Sequence, residues 1–381
     1  SLPPPALPEG ATVFHNGDLV IHHQPDFAAQ LKMFSSRISS HSNLHQGTNK
    51  RGWYQGQGNL LLHTPDNSRY HDDFWATVDP YRLPGVTLDT RNLDHTGAED
   101  GSVSESDWAG GVALDGFCLA SMGLEALGAS LTAHKSWFFF GTQIICLGSA
   151  ITSTDDRPIE TIIENVKPEG LPWESTFEEA RWAHLSSPVP GAETGWIFPG
   201  GASIHALRET RVGNWQSSFI RDSTKDHERN YLALWYDHGA NPSGATYAYI
   251  ILPGRSVAET ERYSRENPVV FVENSAQAQT VQMPEFGVTA ANFWTDKSHT
   301  SGPVSSSGQA AVLVTADKDR VAVAVADPTQ RNTAVVITLD EKVSRVLTTD
   351  ERIQVNSLNP LTLEVDLSQT DGRTLKAELA R

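Results

Sequence analysis

Cysteine is nearly absent from this sequence of 381 residues, which contains only Cys118 and Cys146. Two cysteines are too few for a disulfide scaffold or a cysteine-rich zinc site, and the sequence leaves open whether they form one bridge. Long apolar runs are absent as well, because Gly141 interrupts the longest run, between Trp137 and Leu147. No run therefore reaches the ~18 residues of a membrane span.

Basic residues are outnumbered by acidic ones. The chain has 29 lysine and arginine residues against 46 aspartate and glutamate residues, which gives a formal net charge of −17. A surface of this sign repels a phosphate backbone and an anionic membrane, so we expect neither nucleic acid nor membrane as a partner. A local basic patch can still bind an anionic polymer, so an acidic glycan is not excluded.

Helical periodicity is scarce, and short segments of β-strand character recur between turn residues. Strands are predicted at 18–22, 60–63, 136–140, 143–148, 158–163, 232–236 and 247–252. Gly141 and Thr142 join two of them into a predicted hairpin. Beyond Pro268 the strand segments become shorter and more regular, which is typical of a β-sandwich. The two best candidates for helices are 175–183 and 256–266.

These patterns predict an all-β protein with antiparallel sheets. Residues 1–13, rich in proline, are predicted to be a linker. Residues 14–266 are predicted to form a large antiparallel β-sandwich domain, and residues 267–381 a small C-terminal β-sandwich domain. At roughly 150 residues per domain, the length also favours two or three domains.

Two groups of residues are candidates for metal binding. His41 and His45 have the spacing of two ligands on one helix face, but their segment is rich in serine and asparagine and is typical of a hydrogen-bonding loop. The adjacent carboxylates of Asp72 and Asp73 repel each other, and a hard cation such as Ca²⁺ or Na⁺ would relieve that repulsion. The alternative is that one aspartate caps a turn while the other faces water.

Aromatic residues crowd the first third of the chain, among asparagine, glutamine and arginine. A sugar ring stacks its C–H face on such rings while its hydroxyl groups require fixed hydrogen-bond partners. Packing in the core is the competing interpretation for each ring. The residues are Trp53, Tyr54, Trp75, Tyr81 and Trp108.

Several ordered motifs resemble polysaccharide lyase family 8, which includes hyaluronate, chondroitin AC and xanthan lyases. The two longest matching segments are 33–58 and 72–87, and the resemblance continues to the end of the chain. Shorter matching motifs are at 108–111, 134–138, 158–161, 198–201, 237–242, 252–254 and 291–294.

The resemblance implies a secreted enzyme that cleaves an acidic polysaccharide, of the hyaluronan, chondroitin or xanthan type, by β-elimination. It also implies a supersandwich, mutarotase-like fold for the large domain. Family members carry their catalytic Asn, His, Tyr and Arg on an N-terminal helical toroid, which is expected as a separate domain or chain. A non-catalytic carbohydrate-binding protein is the alternative. The resemblance implies no required cofactor and leaves open a structural Ca²⁺ or Na⁺ ion.

The resemblance also suggests site residues in this chain. Thr48 stands where the family has a glutamate that supports the catalytic groups, so the usual network is altered. Asn49 matches an asparagine of the cleft wall, and Gln46 is a candidate to compensate for the missing glutamate. Gln46, Arg37 and Trp53 are further candidates for substrate binding, although a structural ion pair is the favoured role for Arg37. Asp72 and Asp73 match a region that binds Ca²⁺ in some relatives.

Overall fold

The structure is a computed structural model, and it describes residues 9–42, 49–93, 102–168, 175–178, 181–219 and 222–381. Within these ranges almost all regular structure is β-strand. No helix in the described ranges is long and apolar enough to cross a membrane.

The central domain contributes sixteen strands within the described ranges, all paired antiparallel. They are β1 (Gly10–Phe14), β2 (Leu19–Gln24), β3 (Phe27–Lys32), β4 (Asn59–His63), β5 (Thr87–Asp89), β6 (Ala109–Leu114), β7 (Phe117–Glu125), β8 (Thr132–Phe140), β9 (Gln143–Thr152), β10 (Pro158–Val166), β11 (Ser175–Glu178), β12 (Trp182–Leu185), β13 (Thr194–Ile197), β14 (Ile204–Gly213), β15 (His227–Ala240) and β16 (Ser243–Pro253).

These strands form three sheets. The first is the meander β1-β2-β3-β4, the second has the order β14-β15-β10-β5, and the third has eight strands in the order β11-β12-β13-β16-β9-β8-β7-β6. The predicted hairpin is confirmed, because β8 pairs with β9 and Phe140 lies opposite Gln143. Gly141 in its turn has a φ of 60°, the left-handed conformation that glycine adopts without strain.

The C-terminal domain is a sandwich of a seven-stranded and a five-stranded sheet, ordered β17-β18-β19-β22-β23-β28-β25 and β20-β21-β24-β27-β26. Its strands are β17 (Val270–Asn274), β18 (Ala278–Met283), β19 (Val288–Phe293), β20 (His299–Ser301), β21 (Val304–Ser306), β22 (Ala310–Ala316), β23 (Arg320–Ala326), β24 (Ala334–Leu339), β25 (Arg345–Thr349), β26 (Ile353–Leu358), β27 (Leu361–Asp366) and β28 (Leu375–Ala380). The all-β, two-sandwich prediction is confirmed.

Of the two predicted helices, one is confirmed and one is wrong. The helix α2 (Val257–Glu266) begins after Ser256, whose side chain accepts a hydrogen bond from the amide of Glu259 in a capping box. The segment 175–183 instead forms β11 and the start of β12, which pair antiparallel. A further helix of four residues, α1 (Phe74–Thr77), lies against β14 and β15.

The start of the folded region also differs from the prediction. Strand β1 already begins at Gly10 and pairs with β2, so residues 10–13 belong to a sheet rather than to a linker. The proline-rich residues 1–8 lie outside the described residues.

Both faces of the eight-stranded sheet are buried. Trp137 and Phe139 face the core of the central domain. Phe138 and Phe140 belong to a second cluster that also contains side chains of β18, β19, β22 and β23. This burial explains the run of four aromatic residues in β8, because a strand that is buried on both faces does not alternate between apolar and polar side chains.

Candidate functional site

The segment that carries the predicted site residues folds over the outer face of β10 and β15. Tyr54, Phe74, Leu83 and Val86 pack there against Ile162 in one apolar cluster. At the start of the segment the amide of Lys50 donates to the carbonyl oxygen of Ser218 (2.9 Å). Ser218, which is distant in sequence, therefore holds the start of this segment in place.

Asn49 is fixed by its immediate neighbours. Its Nδ2 atom donates to Oε1 of Gln55 (2.8 Å). A Cβ atom on Gly52 would stand 2.3 Å from the same Nδ2 atom, so a larger residue at position 52 would displace the Asn49 amide group from this position. The sequence Asn-Lys-Arg-Gly-Trp thus holds one amide group in a defined position.

A shallow depression beside Asn49 combines amide, guanidinium and aromatic side chains. We call it the Asn49 depression. Its lining residues are Asn49, Arg51, Gln55, Trp75, Val78, Pro80, Leu83, Ser218 and Phe219. Amides and guanidinium groups bind hydroxyl and carboxylate groups, and aromatic rings stack on sugar C–H faces.

Arg51 lies among charged neighbours of both signs, Arg211 and Asp79. Its half-burial lowers the pKa of its guanidinium, and the nearby charge of Arg211 lowers it further. Arg211 itself is shared between Asp79 (3.6 Å) and Glu209 (3.1 Å). Asp79 and Glu209 offset the charge of Arg211, whereas no ion pair of Arg51 is recorded among the described residues, so its guanidinium can attract an anionic ligand group.

Trp53 does not line this depression. Its side chain is 5 % exposed, and its ring lies 5.4 Å from the ring of Tyr81. Its carbonyl oxygen accepts hydrogen bonds from Ser40 (2.7 Å) and Gln57 (3.1 Å). The structure therefore places Trp53 in the packing beneath the segment, and its role as a substrate contact stays a prediction.

Arg37 joins the two domains. Its guanidinium donates to the carbonyl oxygens of Asp107 (2.6 Å), Ala109 (2.9 Å), Pro328 (3.4 Å) and Thr329 (3.2 Å). It also forms an ion pair with the buried carboxylate of Asp18 (3.3 Å). This geometry is the structural ion pair that the sequence favoured, and a contact with substrate stays a prediction.

Asp72 and Asp73 point to different environments. Asp73 accepts from Trp215 Nε1 (2.9 Å), His227 Nδ1 (2.8 Å) and Arg229 (2.6 Å), whereas Asp72 is exposed. Both residues have positive φ angles, 38° and 53°. Among the described residues no group of three or more His, Cys, Asp or Glu could hold a metal ion. Metal binding by these two residues stays a prediction.

Three of the residues singled out in the sequence, His45, Gln46 and Thr48, lie outside the described residues. Cys118 and Cys146 are both buried and unpaired, and burial raises the pKa of the Cys146 thiol to about 12. Both thiols are therefore protonated and inert at neutral pH.

The sequence missed Phe219 and Ser218 as members of the site. They follow a short turn after β14 and reach Asn49 only through the sheet topology, so no local motif indicates them. Arg51 and Gln55 lie within the motif segment, but nothing in their spacing distinguishes them from structural residues.

The comparisons with known proteins agree with this fold. Residues 9–264 match the model of the polysaccharide lyase family 8 super-sandwich domain, and residues 271–336 match that of the family's C-terminal beta-sandwich domain. The chain is 33 % identical to a xanthan lyase of Bacillus sp. strain GL1, over 99 % of this chain and 42 % of the relative. It is 31 % identical to a hyaluronate lyase of Thermasporomyces composti, over 97 % and 49 %.

A solved structure, the chondroitin AC lyase of Streptomyces coelicolor A3 in complex with chondroitin sulphate, superposes with a TM-score of 0.91 at 35 % identity. The match covers 98 % of this chain and 50 % of that one. The chain thus spans about half or less of the length of these relatives.

Proposed function

This chain belongs to polysaccharide lyase family 8, and from that premise we propose that it is the β portion of an enzyme that cleaves an acidic, uronic acid-containing polysaccharide by β-elimination. Relatives named for xanthan, hyaluronate and chondroitin support the substrate class. We further propose that the enzyme is secreted, because a long polysaccharide is degraded outside the cell.

The Asn49 depression is the observation that carries this proposal. Asn49 and Gln55 offer amide groups to sugar hydroxyls, and Arg51 offers positive charge to a carboxylate. Trp75 and Phe219 add apolar ring surface, but the volume of the depression is about 20 Å³, so it admits a single hydroxyl or carboxylate group of the sugar and not a whole pyranose ring. A neutral or cationic sugar would leave the charge of Arg51 unused, so the lining favours an acidic one.

The reaction removes the proton at C5 of the uronic acid and protonates the departing O4 oxygen. The proton at C5 becomes acidic once the neighbouring carboxylate is neutralised. None of the described residues that line the depression is a histidine, tyrosine or carboxylic acid. Tyr54 lies beneath it, and burial raises the pKa of its phenol, which makes it a poor base. We therefore assign the proton transfers to a helical domain outside this chain.

The test compares this chain alone with the chain plus a helical domain supplied as a separate polypeptide. Hyaluronan, chondroitin and xanthan are incubated with each, and the unsaturated uronate product is followed by its ultraviolet absorbance. We expect no product from the chain alone and product when the helical domain is added. Strong activity from the chain alone would contradict the proposed division of labour.

Binding variants test the depression itself. Arg51→Ala should weaken binding of the acidic polysaccharide about tenfold or more, because a hydrogen bond to a charged group contributes about 1.5–3 kcal/mol. Asn49→Ala should weaken it about two- to tenfold, because a hydrogen bond between neutral groups contributes about 0.5–1.5 kcal/mol. Asn356→Ala and Arg345→Ala, exposed in the C-terminal domain, are the matched controls. Binding without product even with the helical domain would favour the non-catalytic carbohydrate-binding alternative, to which Thr48 in place of the family glutamate also points.

A further inference from the structure

Lys135 in β8 is a buried lysine that takes no part in the proposed reaction. Its side chain is 0 % exposed, and no carboxylate among the described residues pairs with it. Desolvation lowers the pKa of its ammonium group to about 7. Burying an amine without an ionic partner costs free energy, whereas a methionine of similar length would fill the same space without that cost. Packing alone therefore does not explain a lysine at this position.

The amine nitrogen of Lys135 lies beneath the two segments that supply most of the lining of the Asn49 depression. They are 49–58, the first segment, and 75–86, the second segment. The nitrogen donates a hydrogen bond to the carbonyl oxygen of Gly85 in the second segment (2.5 Å). A Cβ atom on Gly58, at the end of the first segment, would stand 3.1 Å from the same nitrogen. One buried atom thus lies against both segments.

The two segments also meet each other at this point. A Cβ atom on Gly85 would stand 2.5 Å from the carbonyl oxygen of Gly58, so a larger residue there would push the segments apart. Both glycines have positive φ angles, 82° for Gly58 and 83° for Gly85. Next to them the amide of Leu60 donates to the carbonyl oxygen of Pro84 (2.8 Å). Lys135 therefore lies under the place where the segments are joined.

The first segment links this junction to Asn49 over a few residues. Gln55 precedes Gly58 by three residues, and its amide donates to the carbonyl oxygen of Gly52 in a turn (3.0 Å). The side chain of Gln55 accepts the hydrogen bond that fixes the Asn49 amide group (2.8 Å). A displacement of Gly58 is therefore passed through one turn to the residue that holds Asn49.

The second segment makes a similarly short link. The amide of Val86 donates to the carbonyl oxygen of Leu83 (3.2 Å), so Gly85 lies inside a turn that begins at Leu83. Leu83 lines the depression. The hydrogen bond from Lys135 to Gly85 therefore holds a turn whose first residue belongs to the opposite wall.

We propose that Lys135 is a positioning residue for the Asn49 depression, because its nitrogen joins the segment that carries Asn49 and Arg51 to the segment that carries Leu83 and so sets the spacing of the two walls. Lys135 touches no ligand itself. The inference rests on the proposed function, since it concerns the same site. Both the charged and the neutral amine keep N–H groups for Gly85, so the hold persists when Lys135 titrates.

Hydrogen exchange on the free chain tests the hold without any ligand. Lys135→Met keeps the length of the side chain and removes the donor. We expect the amides of Leu60 and Gly85 to exchange about tenfold faster in this variant, relative to other amides of the central domain, because a buried hydrogen bond beside them is lost. Unchanged relative exchange of the two amides in folded Lys135→Met would overturn the proposal.

Ser136→Ala is the matched control. Ser136 is the next residue of β8, is equally buried, and donates to Gln279 of the C-terminal domain (2.5 Å) rather than to the two segments. Its substitution should leave the relative exchange of Leu60 and Gly85 unchanged. An equal acceleration in Ser136→Ala would show that any buried change in β8 has this effect, which contradicts a specific role for Lys135.

A double-mutant cycle separates positioning from a general loss of stability. Hyaluronan, chondroitin and xanthan are titrated into the wild type, Lys135→Met, Arg51→Ala and the double variant, each shown to be folded by circular dichroism. Lys135→Met should weaken binding about fivefold in the wild type and about twofold or less in Arg51→Ala, because residues that act through one another are not additive. A purely structural role lowers stability without this coupling, so equal losses in the two backgrounds would overturn the proposal.

Failure of the proposed function gives a different result. A wild-type chain that binds none of the three polysaccharides contradicts that function, whereas the hydrogen exchange of Leu60 and Gly85 still decides whether Lys135 holds the two segments. Binding by the wild type with unchanged affinity in folded Lys135→Met supports the function and overturns the role of Lys135.

Discussion

The apolar core of the C-terminal domain consists of alanine, valine, leucine and isoleucine with a single aromatic residue, Phe293. The central domain buries tryptophan and tyrosine in its core and, beside them, the charged side chains of Arg69, Lys135, Glu164 and Lys167. Among the described residues of the C-terminal domain, Asp327 is the only buried aspartate, glutamate, lysine or arginine, and its carboxylate accepts hydrogen bonds from backbone amides. Burying charge lowers stability unless each group is paired.

This difference in core composition suggests that the two domains have different roles. The aliphatic sandwich packs on the outer face of the eight-stranded sheet, and we interpret it as a support for the central domain. The central domain tolerates costly buried groups, and it also carries the Asn49 depression. Real proteins accept such costs mainly around functional regions.

The largest expected effect comes from breaking a buried ion pair of the central domain. Glu164 lies 3.7 Å from Arg69, and both side chains are less than 4 % exposed. Glu164→Gln leaves the charge of Arg69 unpaired and should lower the free energy of unfolding by about 3–5 kcal/mol, measured by urea denaturation.

The double variant Arg69→Met/Glu164→Leu sharpens this test. It removes both charges and should recover most of the lost stability. Glu266→Gln, on the exposed surface of α2, is the single-site control and should leave stability unchanged. A loss in Glu164→Gln no larger than in this control would remove the contrast between the domains.

A cavity in the aliphatic core should cost stability without affecting the site. Leu363 is fully buried in β27, and Leu363→Ala should lower the free energy of unfolding by about 2–5 kcal/mol. Hydrogen exchange should show faster exchange in the C-terminal sheets, with polysaccharide binding at the Asn49 depression retained. Loss of that binding in the folded variant would show that the support and the site are not independent.

The cluster around Asp73 offers a smaller test on the central domain's surface. Asp73→Asn removes a negative charge that accepts hydrogen bonds from three donors, so it should lower the free energy of unfolding by about 1.5–3 kcal/mol. Asparagine tolerates the left-handed backbone at this position, so the substitution adds no backbone strain. Asp72→Asn, exposed beside it, should change stability by less than about 0.5 kcal/mol. Melting curves with and without Ca²⁺ test the predicted cation site. If the site exists, Ca²⁺ should raise the melting temperature of the wild type and not that of the two variants.

Lys135 should give the central domain a characteristic pH dependence. Desolvation lowers the pKa of its ammonium group to about 7 from 10.5. Between these values the unfolded chain binds the proton and the folded chain does not, so this residue makes stability rise with pH over that window. Below pH 7 both states are protonated and the contribution of this group is constant.

The slope from this one group is at most about 1.4 kcal/mol per pH unit. Lys135→Met should remove it, measured as the difference between the urea midpoints of the two proteins from pH 7 to 10. Identical slopes in the two proteins would show that Lys135 retains its proton in the fold. Lys376, exposed in β28, provides the control as Lys376→Met.

Much of the fold was predictable because local signals and tertiary structure agree. The alternation in 334–339 matches β24, and Ser256 with Glu259 marks the start of α2. The segment 175–183 misled because its Glu-Glu-Ala-Arg sequence favours a helix, while pairing with β12 and β13 decides its structure. Intrinsic propensity is weak against such tertiary pairing.

The candidate site was predictable only in part. Asn49 is indicated by its motif, and the structure supplies its fixed position beside Gln55. Trp75 and Trp108 look alike in the sequence, yet Trp75 lines the Asn49 depression whereas Trp108 is buried elsewhere in the fold. Phe219 lines the same depression as Asn49 because Lys50 and Ser218 pair across a long sequence separation, and such contacts leave no trace in local spacing.

The five oxygen atoms that Arg37 contacts in the described structure are spread over much of the chain, from Asp18 to Thr329. During synthesis the arginine emerges from the ribosome roughly 290 residues before Pro328 and Thr329, so two of its acceptors do not yet exist when the first sheet forms. Domains generally fold in the order in which they are made. Arg37 therefore gains its full set of acceptors only after the C-terminal domain has been made, and we expect a chain that ends before residue 328 to lack two of the hydrogen bonds that hold this arginine.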